Sequence, residues 1–129
     1  MFEWLIDYQK LQDKIDYLEY KIDREKRELK RWTYGDLQNV RLNENSIAAG
    51  LEDRIFTMEY ELAHLINDLH NAQKLISKFK GIENEILYCR YVKGLSLSEV
   101  AGELGYTPGH IYNKHAEIMR KINFAHKLI

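Results

Sequence analysis

The chain has 129 residues, and its 19 lysines and arginines against 20 aspartates and glutamates leave a formal net charge of −1, which taken whole does not favour a nucleic-acid binder, so the charge distribution matters more. Charged residues are abundant, Pro108 is the single proline and glycine is sparse, which favours long helices over sheets in one domain or two small ones. No run of about 18 apolar residues is present, so no membrane-spanning helix is expected. The opening MFEWLIDYQK lacks the basic start and apolar stretch of a secretory leader, and Cys89 stands alone, so no intrachain disulfide can form; both fit a reducing cytoplasm.

In chain order, the first signal is a seam. Trp4, Tyr8, Leu11, Ile15, Leu18 and Ile22, then Leu29 and Trp32, recur at alternating spacings of four and three, with Glu25 filling the seam position between Ile22 and Leu29. That heptad pattern predicts a long amphipathic helix facing a partner helix, with Glu25 setting register at some cost in stability. Residues 21–31 carry Lys21, Arg24, Lys26, Arg27, Lys30 and Arg31 against Asp23, Glu25 and Glu28. The plain reading of this stretch is the solvated face of a coiled coil.

A polar segment, about 33–50, follows, with Gly35, Asp36, Asn39, Asn43, Asn45, Ser46 and Gly50. It reads as a loop, long against the roughly two to eight residues usual between paired helices. Ser46 offers an earlier helix start through Ile47, Ala48 and Ala49. A second seam then runs unbroken through Leu51, Ile55, Met58, Leu62, Leu65, Leu69, Ala72, Ile76 and Phe79. Each seam spans about 45 Å of helix at roughly 1.5 Å per residue, and their matching lengths imply an antiparallel helical hairpin, a coiled coil, over residues 1–80. Leu5, Tyr17, Tyr20, Phe56 and Ile66 lie off the seams and widen the apolar face. They imply self-association as a homodimer or higher homo-oligomer, the other solution being an intrachain bundle.

Residues 81–129 read as three helices. The first covers 82–93, with Ile86, Leu87, Tyr91 and Val92 for packing and Gly94 ending it. Ser96 and Glu99 form a capping box for the second helix. Thr107 as N-cap and Pro108 in the first helical position start the third. Ala101, Gly105 and Ile111 fit a helix-turn-helix: a small residue under the crossing helix, a glycine at positive φ, and a buried residue packing back on Val100 and Leu104. Such a unit presents its second helix to a DNA major groove, or is a plain helical pair. Residues 105–129 hold Lys114, Arg120, Lys121 and Lys127 against Glu117.

Catalytic signatures are missing. No phosphate loop, dinucleotide fingerprint or nucleophile elbow occurs. His110 and His115 are five apart and His64 and His70 six apart, so neither pair shares a helix face as metal ligands do. Cys89 reads as a small core residue. No enzyme activity, metal or cofactor is expected.

The stretch ENEILYCRYVKGLSLSEVAGELGYTPGHIYNKHAEIMRKI resembles region 4 of bacterial sigma factors, most clearly in YVKGLSLSEVAGELGYT and the basic end MRKI. The whole layout is similar to phage-encoded sigma-like late-gene regulators of Gram-positive bacteria, the RinA, ArpU and LtrC type, which join helical segments to a sigma-like helix-turn-helix. The resemblance is specific over residues 84–122 and architectural before them. It implies a late-gene transcriptional regulator, an activator acting near a promoter with RNA polymerase in the host cytoplasm and binding double-stranded DNA. It implies that Thr107, Pro108, Gly109, His110, Tyr112 and Asn113 lie at the positions nearest DNA. Pro108 and Gly109 replace residues that are usually charged in sigma factors, so the sigma promoter code is not expected to transfer. Asn113 is placed to read an adenine edge. His110 and Tyr112 reach bases or phosphates, while Lys114 packs its stem and extends its ammonium. Arg120 and Lys121 suit phosphate clamping. Two other functions remain compatible with the residues: a small terminase-like DNA-packaging protein, and a coiled-coil adaptor or inhibitor that binds protein alone.

Overall fold

The computed structural model describes residues 3–35 and 44–127, and every regular element in them is helical. The chain forms α1 (Glu3–Ile6), α2 (Tyr8–Thr33), α3 (Glu44–Lys78), α4 (Ile82–Leu87), a π-helical segment (Tyr88–Val92), α5 (Leu97–Leu104) and α6 (Pro108–Lys127). The all-α class follows from the composition. Glycine is scarce, and proline occurs only at the first position of α6, where its missing N–H breaks no helical bond.

Two features differ from the sequence expectation. The first seam is interrupted by a turn at Asp7, which separates α1 from α2. The second helix begins at Glu44, inside the expected 33–50 loop, as the alternative start at Ser46 allowed. Ala48 and Ala49 favour the helix, and Leu51, 2% exposed, anchors it. Residues 36–43 of that loop lie outside the described residues.

Contacts divide the chain into two units, residues 1–9 with 69–129 and residues 10–68, so α3 contributes to both. The reason is visible in the second seam. Leu69, Ala72, Ile76 and Phe79 pack with Leu5, Tyr8, Ile86, Leu87, Val100, Ala101, Ile111, Ile118 and Ile122 in one apolar cluster. Leu62 and Leu65 instead pack with Leu18, Ile22, Leu29, Ile55 and Met58 in another. An even 3–4 spacing thus serves two cores. Each fully buried aliphatic side chain contributes about 1.5–3 kcal/mol, and the first cluster holds more of them.

In the unit of residues 10–68, α2 and α3 meet through that second cluster and through ion pairs at its edge. Lys26 Nζ lies 2.7 Å from Glu59 Oε1. The seam carboxylate of Glu25, 20% exposed, meets Arg54 Nε at 3.5 Å, so the polar residue in the apolar seam has a cation to answer it.

Candidate nucleic-acid interface

The unit of residues 1–9 and 69–129 builds its exposed face from α5, the turn and α6. Both ends of α5 are set by local chemistry. Glu99 N–H donates to Ser96 Oγ at 3.1 Å, and Ser96 N–H donates to the Glu99 carboxylate at 3.0 Å, completing the capping box. The bond from the Ser96 backbone holds the Glu99 carboxyl below its ordinary range. At the other end Gly105 adopts φ 76° and ψ 30°, the left-handed conformation. A Cβ there would meet no atom within 4 Å, so the need for glycine is the backbone angle alone. Tyr106 N–H closes the turn on the Ala101 carbonyl at 3.0 Å.

The start of α6 is held by Thr107, whose Oγ1 accepts from His110 N–H at 3.3 Å. Ile111, Ile118 and Ile122 then face the core, and Ile111 packs in the same cluster as Val100, Ala101 and Leu104. This leaves the opposite face of α6 to solvent. Thr107, His110, Tyr112 and Asn113 are all exposed.

The structure adds two residues to that group. Tyr106 stacks on His110, ring centroids 5.0 Å apart and planes 24° from parallel. Ser98 Oγ on α5 lies 3.4 Å from Tyr112 Oη. His110 and Tyr112 are therefore positioned by partners outside their own helix, whereas Asn113 projects without a side-chain partner among the described residues. Tyr106 was findable from its place four residues before His110. Ser98 depends on how α5 crosses α6, which spacing alone does not reveal.

Lys114, His115, Arg120 and Lys121, further along α6, differ among themselves. Lys114 is half-buried with its Nζ 3.7 Å from Glu117, as a stem that packs and a head that reaches out. Lys121 Nζ contacts both Glu83 carboxylate oxygens, at 3.1 and 3.2 Å, and so ties α6 to α4. Arg120 is exposed and forms no ion pair among the described residues. His115 is turned inward: its Nε2 lies 2.7 Å from Tyr91 Oη, on the π-helical segment. Burial, with Arg90 adding to it, holds His115 below the ordinary imidazole range, and burial raises the Tyr91 hydroxyl.

The π-helical segment replaces the end of the helix expected over 82–93. Lys93 N–H bonds the Tyr88 carbonyl, five residues back, at 3.0 Å. Gly94 at φ 76° then stops the helix, and a Cβ there would crowd Gln9 Cδ at 3.2 Å. Gln9 Nε2 donates to the Val92 carbonyl, which fixes the same corner. Cys89 is buried in this segment, and burial pushes its thiol up, away from the reactive thiolate.

Among the described residues no group of three or more His, Cys, Asp and Glu side chains is arranged to hold a metal ion. Among them, too, no helix is long and apolar enough to cross a membrane. No family model, curated protein or solved structure matches the chain.

Proposed function

We propose that this chain is a sequence-specific regulator of transcription that binds double-stranded DNA through α6. The observation that carries the reading is the local build of 96–113: a capping box, a left-handed Gly105 and a Thr107–Pro108 start that together present His110, Tyr112 and Asn113 to solvent. In this reading α4 to α6 form a three-helix, sigma region 4-like helix-turn-helix, following an antiparallel helical hairpin made by α2 and α3. Asn113 reads a base edge, His110 and Tyr112 contact bases or phosphates from fixed positions, and Arg120 takes a phosphate. Lys114 and Lys121 reach DNA by exchanging Glu117 and Glu83 for phosphate, so they contribute less than their charge suggests. Pro108 and Gly109 present no side-chain donor, which makes the recognised sequence different from a standard sigma element. A second copy, joined through the N-terminal helices, supplies a second reading helix for a two-fold site. The setting is the bacterial host cytoplasm, with activation of phage late genes beside RNA polymerase.

The test is selection of genomic fragments with the purified chain, followed by affinity measurement across a salt series. About four to six phosphate contacts per head predict a slope of log affinity on log salt of about −4 to −5. A recovered site bound without salt dependence, or no fragment enriched over random sequence, contradicts the reading.

A further inference from the structure

The outward face of α2 carries a second periodicity. Tyr17, Tyr20, Arg24, Arg27, Arg31 and Tyr34 succeed one another at spacings of three, four, three, four and three. These spacings keep the six side chains on one stripe of the helix, offset from the buried seam of Leu18 and Ile22. All six residues are exposed, the tyrosines at 62%, 60% and 81%. Tyr34, one residue past α2, keeps the helical bond from its N–H to the Lys30 carbonyl at 2.8 Å. The stripe is about 25 Å long at roughly 1.5 Å per residue.

Its composition is selective. Every arginine of α2 lies on it, while Lys14, Lys21 and Lys26 lie off it. The matching stripe of α3 reads Asp53, Thr57, Tyr60, His64 and Asn67. A face that only needs solvation is served by lysine and glutamate, whereas three tyrosine rings held in water gain nothing for the fold. Arginine in place of lysine brings a planar, weakly hydrated fork suited to phosphate. At one end the stripe is also concave. Arg27, Arg31 and Tyr34, with Lys30 and Gly35, line a hollow of about 230 Å³. A Cβ at Gly35 would sit 2.8 Å from Arg31 Cα, so the chain passes this close only without a side chain.

We infer that this stripe is a binding site for single-stranded nucleic acid, with the three arginines on successive phosphates and the tyrosine rings stacked on unpaired bases. It lies within residues 10–68 and does not rest on the reading of α6. Arg27 has an exposed carboxylate partner, Asp23 at 3.3 Å, and Arg31 lies 3.2 Å from the half-buried Glu28, whose other oxygen accepts from Trp32 Nε1. The water-exposed Arg27 pair is weak and exchanges readily for phosphate. Arg24 makes no ion pair among the described residues.

The experiment titrates a fluorescent oligothymidylate of about a dozen nucleotides with the full chain, and a random duplex of the same length in parallel. The triple variant R24Q/R27Q/R31Q is expected to weaken oligothymidylate binding at least tenfold and to flatten its salt slope by about 2, at roughly 0.7 per phosphate. Tyr20→Ala and Tyr34→Ala each weaken it about tenfold, while Tyr20→Phe and Tyr34→Phe bind as the parent does. Asn113→Ala leaves oligothymidylate binding unchanged, which separates this site from α6. Circular dichroism checks that the solvent-facing variants keep their helix content. Failure of the parent to bind, an undiminished triple variant, or alanine variants that weaken the duplex as much as the single strand overturns the inference.

Discussion

The two units are built from the same apolar spacing and are held together differently. Residues 1–9 and 69–129 surround Ile86, Leu87, Val100, Ile111 and Ile118 on all sides, and their helix ends are closed by side chains and glycines. Residues 10–68 rest on one seam between two helices, where Leu62 and Leu65 stay half-exposed and Glu25 interrupts the apolar row. A helix that packs against several others loses more when one contact is removed than a helix with a single neighbour. The first unit should therefore hold a fixed surface, and the second should be the easier to open.

Substitutions can break or sharpen that contrast. The largest effect is expected from Ile111→Ala, which empties a position with 0% exposure and should cost about 3 kcal/mol. Leu62→Ala, on the half-exposed seam, should cost less than half as much. Urea denaturation followed by circular dichroism compares the two, and equal costs would remove the distinction. Gly105→Ala comes next. It puts a Cβ into the left-handed region and should cost about 1–2 kcal/mol without any steric clash. Ser96→Ala removes one half of the capping box, an expected loss of about 1 kcal/mol in the same assay.

The smallest effect is a pH dependence. Burial holds His115 below its ordinary value, so as pH falls through about 6.5 the unfolded chain takes up that proton before the folded one does. The first unit should be most stable above that pH and should lose stability below it, and His115→Gln should flatten the acid limb. The flattening is read from denaturation midpoints at pH 7.5 and 5.5; an unchanged limb in the variant would assign the effect to other groups.

What could be read from the sequence follows the range of the interactions involved. The capping box of Ser96 and Glu99, the glycine at 105 and the Thr107–Pro108 start act over three or four residues, and each stands in the structure where its spacing put it. The second seam was legible as a helix but not as two cores, because a 3–4 pattern records that a face is buried and not what buries it. Ala72 and Ile76 look no different in sequence from Met58 and Leu62. The Tyr91–His115 bond joins residues 24 apart, so no local signal announces it. The exposed face of α6 was legible from Ile111, since fixing the buried side fixes the other, and the structure adds Ile118 and Ile122 to that side. The fixing of His110 and Tyr112 by Tyr106 and Ser98 required the fold. On α2, counting charge over residues 21–31 hid the stripe, because the count pools the arginines with lysines and carboxylates from around the helix.

The central claim is that a fixed α6 face reads duplex sequence through Asn113. It is tested most directly by the ratio of affinities for a selected fragment and its scrambled counterpart, measured for the parent and for Asn113→Ala at one salt concentration. The account predicts a ratio that falls by about tenfold in the variant, as loss of a bidentate base contact requires, while affinity for the scrambled duplex stays constant. An unchanged ratio, or a parent that binds both fragments alike, contradicts it.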